Sequence, residues 1–391
     1  LLIDAMPPFS MQRPLRVLVA PDSFKGSLPS HEVARRIAAG IERALPGSVV
    51  TQAPIADGGE GTGQTVALKL GGEWHATPVT DANGRPVDLP FAVCSSAALA
   101  SFAIFDVAEI VGLPAASIPV GQRTSKGVGQ AVRAIAALGH KTIVLGLGGS
   151  STNDGGAGML CELAVTALDA SRAGVDPVLD TLEDVVTLVQ RDDAAWLADV
   201  TLIGLTDVTS PLTGPAGASH VFGAQKGVED RQASDGLLER FATQLSALTG
   251  EDHSGVAGAG AAGGLGFAVR SMGGILQPGA EFILQALGLT ASTMSFDWVI
   301  TGEGRSDGQT LLGKGPFTVA RLARANQIPV SLLSGAVDAD AALLEAFDGC
   351  FSVQSAPVTL AYAIEHAGEL VEAAAFNLAA LFEASRRLAI A

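Results

Sequence analysis

Residues 299–315, VITGEGRSDGQTLLGKG, carry two carboxylates, an Arg, a Lys and five glycines just after an apolar run. Glycine lets backbone N–H groups come close to an anion, and a following helix start adds the positive end of its dipole. The run from Gly308 to Lys314 fits the first seven positions of a Walker A loop. The eighth position needs a Ser or Thr hydroxyl for Mg²⁺ and holds Gly315 instead, and no strand directly precedes Gly308. The segment therefore reads as a loop for phosphate or an acidic substrate, and not as a P-loop NTPase. A tight glycine turn with solvated charges is the bland alternative.

Comparable clusters recur along the chain. Asp22, Ser23, Lys25 and Ser27 follow the apolar run 15–20, and Asp57 and Glu60 sit in Asp-Gly-Gly-Glu-Gly after the run 49–56. A Lys between small hydroxyl residues and Gly suits phosphate or carboxylate. Two acids three residues apart could hold Mg²⁺ through water, or one could take a hydroxyl proton; a capped helix start is the plain reading. Residues 146–156, GLGGSSTNDGG, fail the G-x-G-x-x-G fingerprint at Ser151, yet offer hydroxyls and amides ahead of a helix. Asp207 after strand 200–205 could bind metal or cap a turn. Lys126, Lys226 and Arg305, taken singly, read as surface cations. The six histidines show no zinc spacing, and no G-x-S-x-G elbow is present.

The elements that must position these groups are legible from periodicity. Strands are expected at 15–20, 49–56, 142–147, 200–205, 298–301, 329–334 and 350–353. Helices are expected at 30–45 with Ser30 as N-cap, and at 62–70, 125–139, 157–168, 234–249, 316–326, 339–347 and 359–388, with a further one opened by 257–266. Residues 73–110, with turn signals at Asn83-Gly84 and Arg85-Pro86, read as antiparallel strands. Two strand–helix units at the start and three at the end make one five-stranded parallel domain, built from 15–69 and 294–391, with 70–293 inserted. Residues 1–14 read as a disordered extension. Ligands in open parallel sheets bind beyond the carboxyl ends of the strands, where Asp22, Asp57, Glu303, Asp307 and Ser334 fall.

Bulk properties bound the partners. A chain of 391 residues, 48% hydrophobic and 16% charged, is long enough for two or three domains and argues against disorder. The 47 glycines, about 12% against a usual ~7%, sit beside Asp, Ser and Thr and point to tight loops. A net charge of −16 disfavours nucleic acid and anionic membranes. Three scattered cysteines form no disulfide framework and suit a reducing cytoplasm, and no apolar run reaches the ~20 residues of a membrane helix.

Taken together, APDSFKGSL (20–28), ADGGEGT (56–62), GLGGSSTNDGGAGM (146–159), PLTGPAGAS (211–219), FGAQKG (222–227), GAGAAGGLG (258–266) and ITGEGRSDGQT (300–310) resemble the bacterial glycerate kinase family. The resemblance runs from about Arg16 to the C-terminus in the same order. It implies a flavodoxin-like parallel-sheet domain with a second α/β domain inserted into it. It also implies ATP- and Mg²⁺-dependent phosphorylation of D-glycerate, with 2-phosphoglycerate favoured over 3-phosphoglycerate, in a cytoplasmic enzyme. Assembly as a homo-oligomer is compatible with the sequence. Thr209-Ser210 stand where the family commonly has Asp-Asn, and Asp106 where Glu is usual.

On that footing the triphosphate is expected against Gly148, Gly149, Ser150, Ser151, Asn153, Asp154 and Lys314, with Mg²⁺ on Asp207 and Asp307. Lys25 and Arg305 are expected to meet the glycerate carboxylate or the transferring phosphoryl group. Asp22, Ser23, Ser27 and Glu303 complete the substrate set. Asp57 is the expected proton acceptor and Glu60 its substitute. The rival readings are a kinase of another small hydroxy acid and a non-catalytic two-lobed ligand sensor.

Overall fold

The computed structural model describes residues 13–96, 99–290, 294–338 and 340–390. They divide into two compact units. One comprises the chain up to Pro54 with Thr293–Gly308 and Ala320–Ala391; the other comprises Ile55–Ser292 and Gln309–Val319. Residues 1–12 of the expected extension lie outside the described residues, whereas Arg13 donates to Asp297 at 2.8 Å.

The first unit holds a five-stranded sheet, parallel throughout, in the order Gly349–Ser352, Val330–Ser334, Trp298–Thr301, Arg16–Val19, Val49–Gln52. Counted along this unit from the other edge, that is 2-1-3-4-5, the flavodoxin-like order. Its central strands are apolar and fully buried, as both faces of a parallel sheet demand. On one face Val33, Ile37 and Ile41 of helix Ser30–Ala44 share a core with Val371, Ala375 and Leu378 of helix Ala367–Ile390.

The second unit holds a mixed six-stranded sheet, in the order Ile275–Gln277, Thr201–Leu205, Thr142–Gly146, Ala100–Asp106, Pro86–Ser96, Glu73–Thr80. The first four strands run parallel and the last two pairings are antiparallel, as the turn signals indicate. Alternation along the strands splits its core. Phe105, Ile143 and Leu145 face helices Lys126–Ala137 and Arg231–Thr249. Phe102, Ile104 and Val144 face helices Thr62–Leu70 and Gly279–Ala286, where Phe102 meets Phe282 edge-to-face at 5.6 Å.

Several expectations need correction. Residues 55–69 were expected with the first sheet, but Val66 and Ala67 bury against Ala92, Phe102 and Ile104, so this stretch belongs to the second unit. The strand expected over 49–56 ends at Gln52. The helix expected over 157–168 stops at Leu163, because Val165–Leu168, led by two β-branched residues, pairs antiparallel with Thr187–Gln190. Pro29, not Ser30, occupies the N-cap of the first helix. The 257–266 stretch forms a glycine turn, and the helix proper starts at Leu265. The C-terminal helix is interrupted at His366.

Candidate active site

In the first unit the chain order reverses between the first strand, Arg16–Val19, and the third, Trp298–Thr301, which opens a crevice at their carboxyl ends. The two strands deliver Asp22 and Glu303 there, both buried, and the Asp22 amide donates to the Gly302 carbonyl at 2.8 Å. Ser23 N–H donates to Asp22 Oδ1 at 2.6 Å, which orients that carboxylate. The Glu303 amide donates to Ser334 Oγ at 3.1 Å, and Ser306 Oγ donates to Glu303 Oε1 at 3.2 Å. The fourth strand therefore supports the third through Ser334, and Ser306 joins as a member that its sequence context did not single out. Gly304 lies beside the Lys25 amide, where a Cβ would come to 3.2 Å. Lys25 itself is exposed, as is Arg305, which pairs with Asp338 at 3.0 Å and stands 4.0 Å from Asp307. Ser27 Oγ is turned to the Ile364 carbonyl at 3.1 Å, so in this conformation it ties the loop to helix Leu360–Glu365.

The second unit builds its own edge. Asp57 Oδ1 accepts from the Gly59 amide at 2.9 Å, which fixes the carboxylate within its loop, while Glu60 is exposed. The Gly148 amide donates to the Gly58 carbonyl at 3.0 Å, and a Cβ on Gly148 would collide with Gly59 Cα. Two glycines thus allow the 57–61 and 146–150 loops to touch backbone to backbone. Asp207 Oδ1 accepts from the Gly279 amide at 3.1 Å, and Gly279 in turn abuts the Ala56–Gly58 backbone. Asp57, Glu60, Gly148, Gly149, Asp207 and Gly279 are accordingly one neighbourhood. Lys314 precedes the helix that starts at Gly315, and Gly315 lies against Ile55 and Ala280.

Asp106 closes this edge from below. It is buried and accepts from the Gly61 and Gly63 amides at 3.0 Å each, the start of helix Thr62–Leu70. Burial pushes its carboxyl up to about 7, against the pull of those two amides. The resemblance marked Asp106 only as a shorter Glu; its placement gives it the task of anchoring the Glu60 loop.

The 148–156 loop divides into two parts. Gly148 and Gly149 keep open surface, whereas Ser150, Ser151, Thr152, Asn153 and Asp154 are buried. Asp154 accepts from Ser125 N, Ser125 Oγ, Gly156 N and Gly158 N at 2.7–3.3 Å, so its oxygens are spent on building the loop. Burial still pushes its carboxyl upward. Asn153 Nδ2 donates to Ser219 Oγ at 2.9 Å. Ser151, Asn153 and Asp154, expected to touch the nucleotide, have no exposed surface of their own in this structure. Beneath them lies a residue first taken for a surface cation. Lys226 is buried, and its Nζ donates to Ser150 Oγ at 3.0 Å and the Thr152 carbonyl at 2.8 Å. Its neighbours in FGAQKG were the only sequence signal, and helical spacing alone does not say which face is covered.

A flavodoxin-like sheet, with a second α/β sheet inserted and acids and cations at both carboxyl edges, defines an α/β enzyme acting on a small molecule. Residues 17–383 match the Glycerate kinase family. The chain is 34% identical to glycerate kinase of Bacillus subtilis, over 96% of this chain and 99% of that one. It is likewise 34% identical to glycerate 2-kinase of Escherichia coli, over 94% and 97%. The crystal structure of putative glycerate kinase 2 from Salmonella typhimurium superposes with a TM-score of 0.81 at 35% identity, covering 96% of this chain and 100% of that one. The chain belongs to the glycerate kinase family, phosphotransferases with an alcohol group as acceptor. None of the helices among the described residues is long and apolar enough to cross a membrane.

Proposed function

We propose that this chain phosphorylates D-glycerate with ATP and Mg²⁺ to give 2-phosphoglycerate. The observation that carries the reading is the backbone-to-backbone packing of the Asp57 loop on the Gly148–Gly149 loop, with Asp207 alongside. Phosphoryl transfer asks a protein chiefly for positioning and charge neutralisation, and this edge has the open backbone surface of Gly148 and Gly149 beside fixed carboxylates. Gly148, Gly149 and Ser150 are the part of the loop suited to the triphosphate, with Lys314 as a further cation. Asp57, held by the Gly59 amide, is suited to accept or orient the proton of the attacking hydroxyl. Taken by itself, the first unit offers Lys25 and Arg305 to a carboxylate or a phosphoryl group, with Asp22, Ser23 and Glu303 suited to hydroxyls. The preference for the 2-hydroxyl draws on the Escherichia coli relative, which is a glycerate 2-kinase.

Among the described residues there is no group of three or more His, Cys, Asp or Glu that could hold a metal by itself. Nucleotide-bound Mg²⁺ needs only one or two carboxylates besides phosphate oxygens. Asp207, with a buried Oδ2, fits that modest demand, and Asp307 is the candidate on the first unit. The ion would neutralise phosphate charge.

A ³¹P NMR assay with ATP, Mg²⁺ and D-glycerate tests the reading. A new phosphomonoester signal coupled to one proton is expected, since carbon 2 bears a single hydrogen. Coupling to two protons would move the product to 3-phosphoglycerate, and no signal from folded protein would overturn glycerate as the substrate.

A further inference from the structure

Lys226 is the last residue of helix Ala218–Lys226, where the negative end of the helix dipole favours a cation. A buried ammonium ordinarily sits against a carboxylate, because an unpaired buried charge is expensive. Here its two hydrogen-bond acceptors, the Ser150 hydroxyl and the Thr152 carbonyl, are both neutral. A second cation joins it: half-buried Arg123 donates to the Ser151 carbonyl at 3.1 Å and to the Lys226 carbonyl at 2.9 Å. The charges that act on Lys226 are Asp154 and Arg123. Asp154 is committed to four other donors, and Asp235, on the packed helix Arg231–Thr249, is committed to the Gly214 amide. Two cations against one acid leave the base of the loop with an excess of positive charge. Three buried polar atoms in the same loop, Ser151 Oγ, Thr152 Oγ1 and Asn153 Oδ1, have no hydrogen-bond partner among the described residues.

Hydrogen-bond direction adds a further constraint. An ammonium can only donate, so Ser150 Oγ must accept from it, and the Ser150 proton is released for another acceptor. A hydroxyl that accepts from a cation is a stronger donor in turn.

We propose that Lys226 is a positioning residue of the 148–153 loop: it holds Ser150 as a hydrogen-bond donor and, with Arg123, supplies the positive charge that an anion at this loop neutralises. The proposal rests on the reading of the loop as the triphosphate seat, and extends it to a residue that does not itself need to touch the nucleotide. Burial lowers the ammonium to about 7, so its charge is lost as pH rises through that value, and an anion should restore it.

Binding of inorganic sulfate, whose charge is constant near neutrality, is measured by calorimetry from pH about 6 to about 8.5, alongside the kinetics of the full chain. The wild type should lose about tenfold in sulfate affinity across that range, and K226M should bind weakly at every pH. In turnover K226M should raise the KM for ATP by about tenfold while the KM for glycerate holds, a split that a general folding defect would not produce. If K226M does not fold, S150A keeps the charge: it should weaken sulfate several-fold and retain the pH dependence. Sulfate affinity that is flat with pH in the wild type, or a folded K226M with an unchanged KM for ATP, overturns the proposal. Lys226-dependent sulfate binding in a protein that does not turn over glycerate would sustain the loop assignment and sink the substrate instead.

Discussion

Asp106 permits a prediction whose size follows from its surroundings. Its carboxyl lies at about 7 in the folded chain against an ordinary 3.8, with burial as the leading cause. Above the ordinary value the unfolded chain ionises while the folded one keeps its proton, so the native state binds more protons and loses stability as pH rises. The group's contribution is therefore fully present below pH 4 and gone above pH 7, a total of about 4 kcal/mol. About 2.5 kcal/mol of that is lost between pH 5 and pH 8. Asp106→Asn cannot ionise and removes this dependence, whatever it costs in hydrogen bonds to the Gly61 and Gly63 amides. Urea unfolding would be followed in a Trp298→Phe background, so that only Trp74 and Trp196, both in the second unit, report. The stability of the Asn variant relative to its parent should improve by about 2.5 kcal/mol from pH 5 to pH 8. A difference that stays constant with pH would refute the argument, as would a carboxyl ¹³C titration of Asp106 with a midpoint below about 5.

Other perturbations have equally definite outcomes. Gly148→Ala puts a methyl into the Gly59 backbone and should cost about 1–3 kcal/mol in thermal melts and at least tenfold in turnover; wild-type values for both would deny that the two loops must touch. Asp154→Ala strands the four donors it serves and should destabilise the second unit by about 3 kcal/mol or more in urea, well before any effect on nucleotide contact matters. Arg305, 66% exposed and paired only with surface Asp338 and Asp307 among the described ion pairs, should tolerate Arg305→Ala within about 0.5 kcal/mol. The same variant should raise the KM for glycerate about tenfold, and an unchanged KM would remove Arg305 from substrate binding.

By itself, the sequence was enough to place the strands of the first sheet, most of the longer helices and the chemistry-bearing loops between them. It did not place strands Val165–Leu168, Thr187–Gln190 and Ile275–Gln277 or helices Ala218–Lys226 and Gly279–Ala286. Apolar runs such as RVLV and WVIT suit strands of a parallel sheet covered on both faces, and glycine beside Asp, Ser and Thr marks the loops that follow. Spacing along the chain also showed that a second domain interrupts the first. Where that interruption begins was a tertiary matter: the helix Thr62–Leu70 has an apolar face that either sheet could cover, and only packing against Phe102 and Ile104 assigns it.

The same limit governs the site. Asp57, Glu60, Gly148 and Asp207 are far apart in the chain, and short-range patterns are silent on which loops meet. Within the 148–156 motif, hydroxyls, amide and carboxylate looked equally available to a ligand; the fold buried Asn153 and Asp154 and left Gly148 and Gly149 open. Lys226 shows the difference most clearly. A lysine on a weakly amphipathic helix belongs on the surface by every local rule, because solvation of its ammonium is a local property. What replaces that solvation, a serine hydroxyl and a carbonyl more than seventy residues away, exists only once the chain has folded.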